Sequence, residues 1–141
     1  MIMLLCVPYA GGTGRGYASL QRWIGPGIQL AELDLPGRGL LRHRPPAGSL
    51  DEAMDALTVQ AQHLVNSGGT DRYGVLGHSL GALLAHRLVS NIYRNGLRSP
   101  EMLAVSCCVP PHLTGAFRQV GVEHLAAMGA MALLTLIFHR G

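Results

Sequence analysis

Tyr73-Gly74-Val75-Leu76-Gly77-His78-Ser79-Leu80-Gly81 is the stretch on which the fold turns. A short apolar run, residues 73–76, leads into Gly77-His78-Ser79-Leu80-Gly81, which fits G-x-S-x-G. Residues 80–93 then carry the apolar spacing of an amphipathic helix, closed by Asn95-Gly96. Strand, sharp turn, helix is the context in which that motif presents a nucleophile. The turn needs small residues on both sides, because side chains at positions 77 and 81 would collide across it. It sets the Ser79 hydroxyl at the start of a helix, where free amides and the helix dipole favour negative charge. The bland alternative is a Gly-rich strand-to-helix turn with an ordinary capping serine.

Working outward, Ile2–Val7 is a continuous apolar run ended by Pro8, as in a strand buried on both faces. A loop with Gly11, Gly12, Gly14 and Gly16 follows, then a short helix over 17–24 stopped by Gly25-Pro26-Gly27. Residues 28–33 read as a second strand and 36–46 as a Gly/Pro/Arg-rich loop. Residues 49–66 predict a helix: Ser49 and Glu52 have the spacing of a capping box, and Ala53, Leu57, Ala61 and Leu64 recur at helical intervals. Gly68 and Gly69 close it. Residues 102–109 predict a strand stopped by Pro110-Pro111. Residues 122–139 predict a helix rich in Ala, Leu and Met, weakened by about 1 kcal/mol at Gly129. Strands alternating with helices imply an α/β fold, a mostly parallel sheet with flanking helices and right-handed crossovers. About four strands are visible, with no internal repeat and no linker.

The chain has 141 residues, 48% of them hydrophobic and 13% charged, which suits one globular domain with a real core and excludes intrinsic disorder. The formal net charge is +3, and lysine is absent, so every fixed positive charge is an arginine. That small excess, without a basic run, argues against a nucleic-acid partner. Cys6, Cys107 and Cys108 lie in apolar strand-like runs. They read as buried free thiols of a reducing cytosol, with neither a disulfide framework nor a metal site. Residues 1–7 lack the basic start and long apolar stretch of a signal peptide, and 130–138 is too short to span a bilayer. The expectation is a soluble, cytoplasmic protein with no membrane partner.

A nucleophile elbow also needs an oxyanion hole. One donor is the amide after the nucleophile, that of Leu80, and the second comes from the loop after an earlier strand. Pro8-Tyr9-Ala10-Gly11-Gly12 is such a loop, with glycines that let backbone amides converge; an ordinary glycine turn is the equal alternative. Taken together, Pro8-Tyr9-Ala10-Gly11-Gly12, Leu35-Pro36-Gly37-Arg38-Gly39, Gly77-His78-Ser79-Leu80-Gly81 and Pro111-His112-Leu113 resemble the stand-alone type II thioesterases of nonribosomal peptide and polyketide synthases, within the α/β-hydrolase superfamily. The likeness covers residues 3–114. It implies hydrolysis of acyl groups held as thioesters on the phosphopantetheine arm of acyl or peptidyl carrier proteins, with no cofactor of the enzyme's own. By position, Ser79 matches the nucleophile, Leu80 and Ala10 the oxyanion amides, and Arg38 a motif position read as structural or at the substrate entry. His78 and His112 are secondary candidates. His78 adjoins Ser79 in a turn that presents only the serine. His112 follows the last strand, at the carboxyl end where sites form, but matches a family position outside the triad. Arg87, Arg94 and Arg98 are open to docking an acidic carrier protein or to forming a solvated face, and His86 and His124 read as packed or solvated.

The triad of this superfamily runs Ser, acid, His. After Ser79 there is no Asp, and the remaining acids are Glu101, before its strand and so at the wrong end of the sheet, and Glu123, beside His124 in the expected last helix. The resemblance places the acid and the histidine on loops after later strands that are lacking here. The domain organisation is therefore read as 1–113, the N-terminal part of an α/β-hydrolase thioesterase domain, followed by a divergent helical tail, 114–141. A C-terminally truncated product, inactive for want of acid and base, is one reading; a half-domain borrowing parts from a partner is another. The exposed apolar edge at 102–109 predicts self-association. The rival functions are a different serine ester hydrolase or acyltransferase on the same scaffold, and a non-catalytic remnant that binds carrier proteins.

Overall fold

The computed structural model describes residues 1–106. The end of the last expected strand, Cys107, Cys108, His112, Glu123, His124 and the tail 114–141 lie outside the described residues. The strands are β1 (Ile2–Val7), β2 (Ile28–Glu32), β3 (Tyr73–His78) and β4 (Met102–Ser106), and the helices α1 (Leu50–Ser67) and α2 (Leu80–Arg94). They form one parallel sheet in the order β2-β1-β3-β4, so every strand ends on the same side. This is the expected α/β arrangement.

β1 sits between β2 and β3, and its side chains divide between two apolar layers. Met3, Leu5 and Val7 pack with Met54, Leu57, Leu84, Leu88 and Ile92 beneath α1 and α2. Leu4 and Cys6 face the opposite way, with Tyr17, Leu76 and Ala104. A strand covered on both faces needs no polar alternation, and that is why β1 reads as a continuous apolar run.

Three local expectations change. The short helix expected over 17–24 is a 3-10 helix, Gly14–Arg22, beginning three residues earlier. Its early start is set by the Gly14 amide, which donates to the buried Asp34 carboxylate at 2.8 Å. β3 runs two residues past the expected end, into the motif. At the start of α1, Ser49 Oγ accepts from the Glu52 amide at 3.1 Å, but the Glu52 carboxylate turns back to the Gly48 amide at 2.6 Å rather than to Ser49. The Gln21 side chain covers the outer edge of β2, donating to Ile28 O at 3.0 Å and accepting from the Leu30 amide at 3.3 Å. On the other side β4 is the outermost strand among the described residues.

Leu5 lies at the centre of β1 with no exposed surface. Leu5→Ala removes buried methyls and leaves a void, and is expected to lower the unfolding free energy by about 3 kcal/mol in urea titration.

Candidate active site

β3 passes into α2 through one residue, and the backbone there is forced. Ser79 has φ 54° and ψ −120°, the sole positive φ outside glycine among the described residues. A non-glycine residue so held stores about 1–3 kcal/mol of strain. The two flanking glycines are what permit it. A Cβ on Gly77 would overlap the Gly81 carbonyl, and one on Gly81 would lie 2.6 Å from Val7 O and 2.8 Å from Pro8 O. The collision expected across the turn is thus present, and Gly81 adds a second, longer-range reason to be small. Ser79 is partly exposed, its amide donates to Ser106 O at 3.0 Å, and its own carbonyl accepts from Ala82.

The approach of Gly81 to the Val7 and Pro8 carbonyls brings the elbow against the end of β1, and the loop holding Ala10 starts there. Tyr9 O accepts from the Gly12 amide at 3.0 Å, with Gly11 at φ 73°, so Ala10 and Gly11 form the corner of a tight turn. Neither the Ala10 nor the Leu80 amide has a backbone acceptor among the described residues. Leu80 opens α2, where first-turn amides have no intrahelical partner. The site is therefore a strained serine at a helix start, beside a glycine turn from the neighbouring strand.

Polar groups that sequence reasoning passed over hold these pieces together. Tyr17, almost fully buried, accepts from the His78 amide at 3.0 Å and donates to Val7 O at 2.7 Å. Burial pushes the Tyr17 phenol up from its usual pKa, so it keeps the proton it donates. Its ring meets that of Tyr9 edge-on at 5.7 Å. Asp34, buried at the end of β2, accepts from the amides of Gly14 and Leu40 at 2.8 and 2.9 Å, joining the Ala10 loop to the Arg38 loop. Gln60 of α1 clamps the Asp34 backbone from both sides, accepting from its amide at 3.0 Å and donating to its carbonyl at 2.7 Å. The signal for Asp34 was its place between an apolar strand and a glycine turn. Tyr17 offered none, since its amide partner lies 61 residues away.

His78 turns from the serine to β4, where its Nδ1 lies 2.8 Å from Ser106 Oγ, with its ring edge-on to Tyr9. Glu101 sits at the opposite end of the sheet, paired with Arg72 at 2.8 Å; the Arg72 guanidinium lowers its carboxyl pKa. Of the arginines open to docking, Arg98 pairs with Asp71 at 2.7 Å and Arg87 with Asp51 at 3.5 Å. His86 is exposed. Burial pushes the Cys6 thiol up to about 12, so it is no nucleophile at neutral pH. No group of three or more potential metal ligands occurs among the described residues. Nor is any helix there long and apolar enough to cross a membrane.

A family model described as the thioesterase domain matches residues 3–135. The chain belongs to the thioesterase family. Similar curated proteins include the gramicidin S biosynthesis protein GrsT of Aneurinibacillus migulanus, 29% identical over 74% of this chain and 40% of the relative. Among solved structures, the RedJ thioesterase of the prodiginine pathway in Streptomyces coelicolor is 31% identical, with a TM-score of 0.71 over 92% of this chain and 50% of RedJ. ClbQ of the colibactin nonribosomal peptide/polyketide pathway is 25% identical, with a TM-score of 0.70 over 99% of this chain and 59% of ClbQ. The chain thus shares the parallel sheet and flanking helices of these α/β-hydrolase-fold thioesterases and spans about two fifths of its curated relative and half of RedJ.

Ser79→Gly releases the strained backbone at the elbow and is expected to raise the unfolding free energy by about 1 kcal/mol in denaturant titration. Gly81→Ala is expected to lower it by about 2 kcal/mol, because the new methyl has two backbone carbonyls in its way.

Proposed function

We propose that this chain carries the nucleophile and oxyanion hole of a type II thioesterase acting on acyl groups bound to carrier proteins. The observation that carries the reading is Ser79 itself, held at positive φ at the start of α2 with a side chain that makes no capping hydrogen bond, unlike an ordinary capping serine. Ser79 Oγ attacks the thioester carbonyl, and the negative charge moves to the carbonyl oxygen. The amides of Leu80 and Ala10 donate to that oxygen. The carbon–sulfur bond then breaks, and the phosphopantetheine thiol leaves with a proton. Water attacks the acyl-serine, releasing the acid and restoring the hydroxyl. A thiol needs less help from an acid to leave than an amine does, so two amides and a serine supply a large share of what the step requires. Loss of one oxyanion donor typically costs about 10²–10³ in rate. A serine hydroxyl without a base is a weak nucleophile. His78 is not read as that base, because its Nδ1 faces Ser106.

Charge supports an anionic carrier partner. The loop over residues 35–50 holds Arg38, Arg42 and Arg44 and no acid. The chain has 11 arginines and 8 acidic residues, so outside this loop 8 arginines face 8 acids and the net charge is that of the loop. The loop leaves the carboxyl end of β2, on the side of the sheet where Ser79 lies. Arg44 shares a cavity of about 440 Å³ with Glu52 and Asp55, which offset it. Arg38 and Arg42 are exposed and make no ion pair among the described residues.

A fluorophosphonate probe is expected to label the wild-type chain and not Ser79→Ala; labelling that persists in Ser79→Ala overturns the nucleophile assignment. Acyl-carrier thioester is expected to be cleaved in preference to a simple aryl ester, and the reverse order would select a general ester hydrolase. Carrier binding measured by calorimetry is expected to weaken with added salt and about tenfold on replacing both Arg38 and Arg42 by Ala, whereas Arg44→Ala has a smaller effect. Carrier binding that survives Ser79→Ala, with turnover by neither form, would select the binding remnant.

A further inference from the structure

We propose that Tyr17 is the positioning residue that fixes the separation of the Ala10 and Leu80 amides, an inference that rests on the reading of those amides as an oxyanion hole. The hydroxyl takes its place in the ladder between β1 and β3. Met3 pairs with Tyr73, and its amide donates to Arg72 O at 3.0 Å. In a parallel ladder that parity repeats every second residue. It reaches Val7, which pairs with Gly77, and assigns the last rung to Val7 O and the His78 amide. Those are the two groups the Tyr17 hydroxyl engages, accepting from His78 N–H at 3.0 Å and donating to Val7 O at 2.7 Å. One oxygen atom thus sits on the rung at which the strands part.

Both candidate amides lie just beyond that rung. Leu80 is two residues past His78, and Ala10 three past Val7. The Tyr17 ring also packs edge-on against Tyr9, the residue before Ala10. The same side chain therefore touches the chain leading to each donor, once through its hydroxyl and once through its ring. Its own position is held by the layer of Leu4, Cys6, Leu76 and Ala104. An oxyanion hole works only when its donors are fixed before the charge develops, and a shift of well under an ångström in one of them erodes its contribution.

Tyr17→Phe keeps the ring and removes the hydroxyl. Amide NMR spectra of this variant are expected to show displaced signals for His78, Ala10 and Leu80, with the Ala61 amide of α1 unmoved. Fluorophosphonate labelling of Ser79, measured at a temperature where both forms are fully folded, is expected to slow on the order of tenfold. Loss of stability alone would move the melting temperature without moving that rate. Incorporation of 3-fluorotyrosine at position 17, which changes hydroxyl strength and little else, gives a second variant should Tyr17→Phe not fold; its amide shifts should follow the same pattern. If only the His78 signal moves, or if the labelling rate equals that of the wild type, the positioning role is overturned while the nucleophile reading stands. If the wild type does not label, the nucleophile reading fails, and the Ala10 and Leu80 shifts alone decide whether Tyr17 places the two amides.

Discussion

The contact of Gly81 with the carbonyls of Val7 and Pro8 is the constraint on which the architecture of this site depends. It brings the start of α2 down onto the end of β1, with no room for a side chain between them. The turn between β3 and α2 is made in a single residue. That residue is Ser79, which carries the positive φ. The strain is local, while the contact beside it is made by a segment more than seventy residues away in sequence.

Apolar packing sets the sheet and helices, but polar groups set the loops. Two apolar layers cover β1 on both faces and fix its register with β2 and β3. Such layers are tolerant of small displacements at the strand ends, where side chains become sparse. There the structure uses directional bonds instead: the Tyr17 hydroxyl between Val7 and His78, the Asp34 carboxylate between Gly14 and Leu40, and Ser106 against both His78 and Ser79. Asp34 and Ser106 are the two buried polar residues of the described part, and both lie at carboxyl ends of strands. A buried carboxylate or hydroxyl is tolerable only when its partners are fixed, so each also rigidifies what it joins.

The sheet and both α-helices were legible because their signals are periodic and local. The turn at Ser79 was legible because its demand for small residues falls on Gly77 and Gly81, two positions to either side. The short helix after the glycine loop was misplaced, since its beginning is decided by Asp34, a side chain twenty residues downstream. The capping glutamate at position 52 was read correctly as a cap and wrongly as to its partner; spacing identifies the donor turn, but one residue of backbone direction decides which amide is reached. Tyr17 was invisible for a stronger reason. Its meaning comes from the parity of a strand ladder, and parity is a property of two paired segments that neither sequence carries alone.

Gln21 gives β2 a further property. The Ile28 carbonyl and the Leu30 amide are the groups a strand turns outward when its inner rungs go to β1, and a single carboxamide occupies both, as a peptide unit of a neighbouring strand would. Among the described residues, the border of the sheet on that side is thus closed by a mimic supplied from within the chain. Another polypeptide seeking to lengthen the sheet there must first evict it, which turns an open template for fibril growth into one with an activation barrier.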